Sequence, residues 1–207
     1  MKPVLEWDAL ACGHAILAAI PLSLRQAALQ YPAARGAVLF RRGARPKYVL
    51  YVLSGEIRLL RHTAEGQPVI LQRRSGGFIA EASMESKTYH CDIVAAEDSE
   101  LLLFPSAAFR HALDDDSAFR AVWLSALARE IRRLRAQNER LHLHKASDRV
   151  LHYIEAEGQG GVVTLTQTRK AWAAELGISH EALYRTLARL ESSGALAVAG
   201  KTLTRTG

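Results

Sequence analysis

Cysteine is almost missing from this chain: Cys12 and Cys91 are the only two, and they lie far apart in 207 residues. So sparse a set does not suggest a disulfide framework and fits a reducing cytoplasm. No apolar run approaches the length of a membrane span. The nearest candidate, Ala9 to Ile20, resembles a signal-peptide core, and Leu10-Ala11-Cys12 faintly resembles a lipoprotein cleavage site. Glu6 and Asp8 stand where a leader carries positive charge, so the run is expected to be a short helix packed on the first domain. Between Arg35 and Phe104 the only histidines are His62 and His90, and no two-His-one-carboxylate spacing occurs. That argues against a metal-dependent oxygenase, and the chain is expected not to be an enzyme.

What the sequence does have is a heptad seam. From about Ser117 to Leu143, apolar residues fall at Leu124, Leu127, Ile131, Leu134 and Leu141, alternating three and four apart, with Asn138 on the same stripe. Leu at d with Ile131 and Asn138 at a predicts a parallel two-stranded coil, because a buried Asn is satisfied by its symmetry mate and penalises slipped registers. The competing reading is one long helix packed on its own domain. Arg129, Glu130, Arg132, Arg133, Arg135, Glu139 and Arg140 lie off the seam, so the remaining faces are expected to be wet. Charge follows the same division. Residues 117–145 hold seven basic and two acidic side chains, whereas residues 1–116 balance at thirteen each. A basic surplus favours a polyanionic partner without establishing one.

Upstream, between Arg35 and Pro105, short β-rich runs alternate with glycines at 36, 43, 55, 66, 76 and 77, which predicts an antiparallel sandwich or barrel. Ser54-Gly55-Glu56 and Ala64-Glu65-Gly66 read as hairpin turns. Ser106 to Leu113 reads as a short helix, and Asp114-Asp115-Asp116 as the cap and dipole complement of the long one. His142 and His144 point to opposite faces and are expected to be solvated or interdomain. Ser147-Asp148 is expected to cap the next helix, and Val162 to Leu165 to form a strand leading to Thr166. Then come a helix, a turn at Gly177 and a second helix capped by Ser179, with Ala173 at the crossing and Leu183, Leu187 and Leu190 as its buried stripe. Two short strands around Gly200 complete a winged helix-turn-helix.

Sheet domain, dimer helix and winged helix in this order resemble the Crp/Fnr family of bacterial transcription regulators over nearly the whole chain. The resemblance implies an α+β fold: an N-terminal antiparallel β-roll of the cyclic-nucleotide-binding type with its N-terminal helix (1–116), a dimerisation helix and hinge (117–145), and a DNA-binding domain (146–207). It implies a cytoplasmic homodimer on double-stranded DNA with a palindromic operator, no membrane partner, and RNA polymerase as a further partner. Ser179-His180-Glu181-Ala182-Leu183-Tyr184-Arg185 is similar to the family's recognition helix, with Glu181 and Arg185 as base readers. A Glu accepts from cytosine N4 and an Arg fork donates to guanine O6 and N7, and a spacing of four puts both on one face. An ordinary i,i+4 surface ion pair is the alternative. His180 and Tyr184 depart from family members of known specificity, and Arg169 and Lys170 are candidate phosphate contacts.

In the sensor, Phe78-Ile79-Ala80-Glu81-Ala82-Ser83 resembles the start of the family's phosphate cassette, with Ala80 where Gly is usual. The Arg-Ser pair that should follow is absent; Tyr89-His90-Cys91-Asp92 stands there in a shortened segment. Without that Arg a phosphodiester lacks its bidentate partner, so cAMP and cyclic di-GMP are not expected effectors. Glu81, Ser83, Tyr89, His90 and Cys91 are the sensing candidates. Cys12, His14, His90 and Cys91 are candidate ligands for a soft metal ion or haem, and the expected signal is a soft metal, haem or thiol oxidant, against the alternative of a buried, inert Cys91. A cyclic-nucleotide-type regulator responding to a small molecule, an effector-independent regulator and, least of all, a cupin-like metalloenzyme are the competing functions.

Overall fold

The computed structural model describes residues 6–165 and 167–206 and divides into two compact units, Met1–Leu124 and Ser125–Gly207. Thr166, where the predicted strand leads, lies outside the described residues.

The first unit begins with three short helices, α1 (Trp7–Gly13), α2 (Ala15–Ala18) and α3 (Leu22–Ala27). The single helix expected from Ala9 to Ile20 is thus broken, because His14 has extended φ/ψ (−141°, 88°). Leu17, Ile20 and Leu24 are buried, which keeps the segment on the unit.

Eight strands follow: β1 (Leu29–Ala33), β2 (Val38–Phe40), β3 (Tyr48–Ser54), β4 (Ile57–His62), β5 (Pro68–Arg74), β6 (Gly77–Ile79), β7 (Asp92–Ala95) and β8 (Ser99–Pro105). They form two four-stranded sheets, β1-β8-β3-β6 and β2-β7-β4-β5. All named pairings are antiparallel. Inward residues including Leu50, Val52, Ile57, Ile79, Ile93 and Leu101 fill one core. The sheet starts earlier than Arg35: β1 was not expected, and its Pro32 is tolerated because β1 is an edge strand. At the β3–β4 turn Gly55 has φ +83°, and a Cβ there would collide with Ser99 Oγ and the Asp98 carbonyl, so glycine is required.

Helix α4 (Ser106–Asp115) then leads to α5 (Ser117–His142), the expected long helix. Asp116 caps it, its Oδ1 accepting from Phe119 N–H at 2.8 Å. In the second unit α6 (Ala146–Glu157) starts one residue before Ser147, which lies with Asp148 in the first turn instead of capping. Strand β9 (Val162–Thr164) joins β10 (Leu196–Ala199) and β11 (Thr202–Arg205) in the order β10-β11-β9. The expected two-stranded wing is therefore part of a three-stranded sheet. Helices α7 (Arg169–Glu175) and α8 (His180–Ser192) complete the unit. Its core joins Val150, Ile154, Trp172, Leu176, Leu183, Leu187 and Leu203.

Candidate nucleic-acid interface and the helix behind it

Helix α7 is started by Thr168, whose Oγ1 accepts from Ala171 N–H at 3.2 Å. The chain turns at Gly177 (φ +66°), and Ser179 Oγ accepts from Ala182 N–H at 3.1 Å to start α8. Leu183, Thr186, Leu187 and Leu190 then take the buried side of α8. The opposite side carries His180, Glu181, Tyr184 and Arg185, all exposed. His180 and Tyr184 meet edge to face at 4.8 Å. The backbone N–H of Glu181 and then the Ser179 hydroxyl hold the Glu181 carboxyl below its ordinary pKa, while Arg185 is the smallest of the influences on it. The two base-reading candidates lie one turn apart on the same exposed face of α8.

Arg169 and Lys170 separate in role. Arg169 Nη2 donates to the Gly200 carbonyl at 2.8 Å and its guanidinium lies 5.5 Å from the Trp172 ring centroid, so it ties α7 to the wing. Lys170 is exposed and remains the phosphate candidate of the pair.

Along α5 the seam is uncovered within the single chain: Leu124 is 58 % exposed, Ile131 50 %, Leu134 41 % and Leu141 49 %. Asn138 is exposed on the same stripe. A contiguous apolar stripe of this kind is the mark of an interaction surface. The other faces are not uniformly wet, which corrects the sequence reading. Arg140 is fully buried, its guanidinium 3.2 Å from Glu157, 3.7 Å from Glu175 and 4.9 Å from the Tyr153 ring centroid. Arg133 pairs with Glu130 at 2.8 Å and reaches Glu175 at 3.9 Å. A second stripe on the last turns of α5 is thus committed to the C-terminal unit. At the start of α5, inside the first unit, Trp123 meets Phe78 and Phe109 edge to face at 4.8 and 4.9 Å, and Phe119 meets Phe109 at 5.4 Å.

The sensing candidates are mostly interior. Ala80 is the one non-glycine among the described residues with positive φ (+65°), so the cassette turn persists without its usual glycine. An L-residue pays about 1–2 kcal/mol for this conformation. Glu81–Ser83 form a 3₁₀ turn after it. Ser83 is buried and its Oγ lies 3.2 Å from His90 Nδ1. Tyr89 is 1 % exposed and donates its hydroxyl to the Tyr48 carbonyl at 3.1 Å. Cys91 is 1 % exposed in the sheet core, and burial pushes its thiol pKa up, opposite to a reactive thiolate. Cys12 is exposed, and His14 packs edge to face on Tyr51 at 5.4 Å. Among the described residues no group of three or more His, Cys, Asp or Glu side chains could hold one metal ion.

Comparison with known proteins agrees with this architecture. Residues 32–116 match the cyclic nucleotide-binding domain family. FixK2 of Bradyrhizobium japonicum superposes with TM-score 0.62 at 19 % identity, over 87 % of this chain and 93 % of that one. DNR of Pseudomonas aeruginosa gives 0.54 at 23 % identity, over 100 % and 96 %. CLP of Xanthomonas campestris, a global regulator responsive to c-di-GMP, gives 0.53 at 21 %, over 88 % and 95 %. No curated protein matches. Residues 32–116 of the first unit thus match that domain, and the chain as a whole shares its fold with FixK2, DNR and CLP. Among the described residues no helix is long and apolar enough to cross a membrane.

Proposed function

We propose that the chain is a dimeric, sequence-specific DNA-binding transcription regulator whose β-roll receives a signal that α5 passes to the winged helix. The observation that carries this reading is α8, buried along Leu183, Leu187 and Leu190 and presenting Glu181, Tyr184 and Arg185 to solvent. The exposed Leu124–Leu141 seam supports self-association through α5, with Asn138 meeting its mate. Paired recognition helices then read a palindrome whose half-sites lie about one helical turn, roughly 34 Å, apart. Lys170 contacts phosphate, RNA polymerase is the onward partner, and the setting is the cytoplasm. The signal is not a cyclic nucleotide: Ser83 bonds His90 and no Arg-Ser pair follows Glu81.

Selection of the operator from random DNA, followed by binding assays at fixed salt, tests the reading. Arg185→Ala is expected to cost roughly 1–3 kcal/mol at one base position, and Lys170→Ala to weaken all sequences alike and lower the salt slope. Equal loss on specific and random DNA for Arg185→Ala removes its base-reading role. A monomer by light scattering at micromolar concentration removes the dimer.

A further inference from the structure

A cavity of about 530 Å³ opens on the first unit where the β2–β3 loop, the segment after the cassette turn and the start of α4 meet. Four cationic side chains line it, Arg45, Lys47, Lys87 and Arg110, and no Asp or Glu does. This is a local concentration: residues 1–116 are balanced in charge, so the cluster does not follow from a generally basic surface. Beside it, Glu85 is 84 % exposed and reaches Arg110 at 3.3 Å. An exposed pair of that kind is worth at most a small fraction of what a multiply charged ligand would gain, so Glu85 yields readily.

The backbone beneath the four cations is fixed. Ser106 N–H donates to the Lys47 carbonyl at 2.9 Å and Ser106 Oγ to the Pro46 carbonyl at 3.1 Å. Tyr89 N–H donates to the Ala44 carbonyl at 2.8 Å, and Arg110 Nη2 donates to the Met84 carbonyl. Ser106 and Ala107 at the cavity open α4, a ten-residue helix whose N-terminus has no side-chain cap. Its dipole therefore adds to the same sign of field. The volume lies within the ~300–1,000 Å³ of small-molecule sites.

We propose that this cavity binds a small polyanion of the pyrophosphate or organic-phosphate class. The Arg45 guanidinium supplies a planar fork for phosphate oxygens, Arg110 the guanidinium edge that its bond to the Met84 carbonyl leaves once Glu85 yields, and two ammonium groups supply point charges around them. The site is separate from the cassette turn, where Ser83 and His90 face each other. The proposal does not depend on the DNA-binding reading, because its readout is binding to the intact chain.

The test is calorimetric titration of the full-length protein with inorganic pyrophosphate at constant ionic strength. Saturable binding is expected, at least ten-fold weaker in Arg45→Ser/Lys87→Ser and unchanged in Arg41→Ser, which alters an exposed cation outside the cavity. Arg110→Lys gives a second variant with the charge kept and the fork lost, expected to bind more weakly than wild type and more tightly than the double variant. Thermal melts show whether each variant is folded. Absence of saturable binding, or equal loss in Arg41→Ser, overturns the proposal. So does a glutamate-rich peptide that displaces pyrophosphate and binds more tightly, since the occupant is then a protein segment.

Discussion

The two ends of α5 are held by opposite kinds of chemistry. Its first turns place Phe119 and Trp123 against Phe78 and Phe109, a dry aromatic cluster in which Phe119 is fully buried and Trp123 is 5 % exposed. Its last turns are held by Arg140 against Glu157 and Glu175, with Gln167 Nε2 donating to Glu175 at 2.5 Å. Most of the energy of aromatic packing follows buried area, which is non-directional, and edge-to-face geometry adds only about 0.5–1.5 kcal/mol per pair, so small rotations cost little. A buried ionic cluster does not: its attraction offsets the desolvation of the charges only while geometry is kept. One helix therefore has a forgiving attachment in the β-roll unit and an exacting one in the winged-helix unit. If α5 passes a signal as proposed, the exacting end is where a small displacement would have two distinct outcomes.

The largest effects should come from cutting each attachment once. Arg140→Ala leaves Glu157 and Glu175 without their buried partner and is expected to cost about 3–5 kcal/mol. Trp123→Ala should cost a similar amount, about 3–5 kcal/mol, by opening a cavity. Hydrogen exchange resolved by unit should place the first loss in residues 125–207 and the second in residues 1–124. The comparison is sharpened by what restores stability. Trp123→Phe should recover much of its loss on apolar volume alone. Arg140→Lys should recover little, because an ammonium cannot fork to two carboxylates. Arg140→Met with Glu157→Gln and Glu175→Gln should return to within about 1–2 kcal/mol of wild type, since a buried ion cluster is replaceable by neutral packing. If Arg140→Lys is as stable as wild type, the two ends do not differ in kind.

A smaller effect concerns the thiols. Cys12 is exposed and Cys91 lies in the sheet core with a raised pKa, so a thiol reagent should modify one cysteine per chain promptly and the second only on unfolding. Prompt modification of both would show that the β-roll end is not dry.

Much of this was legible in the sequence, and the misses have physical causes. Gly177, Ser179 and the Leu183–Leu187–Leu190 stripe were readable because turn, cap and helical period are local. The long helix was readable to within a residue. Its ionic stripe was not, because charged residues off a heptad seam are solvated by default. Yet Glu130, Arg133, Gln137 and Arg140 recur at three- and four-residue spacing, a second stripe as regular as the first. Edge strand β1 escaped because Pro32 and a mostly exposed face gave it no alternation. The positive φ of Ala80 had a cue in the glycine that the family resemblance expects there. The cationic cavity had none, as positions 45, 47, 87 and 110 come together only through the sheet.

The smallest expected effect separates the two ends by pH. Tyr51, which packs on Phe78 at 4.9 Å, and Tyr153, which lies under Arg140, are both raised from 10.0 to about 12. Burial is the main cause in each. In the unfolded chain these phenols ionise near pH 10, whereas in the fold they stay neutral until about pH 12. Their contribution is therefore complete below pH 10 and is lost as pH rises from about 10 to about 12, at on the order of 1 kcal/mol per tyrosine after solvent screening. The further causes differ. Tyr153 is also raised by Glu175 and Glu157 and lowered by Arg140, whereas Tyr51 is lowered by Arg74. Glu175→Gln should consequently lower the Tyr153 titration and leave Tyr51 where it is, read by ultraviolet tyrosinate absorbance in single Tyr→Phe backgrounds. Equal movement of both phenols, or of neither, would mean that the carboxylates of the C-terminal cluster do not act on the ring beside Arg140.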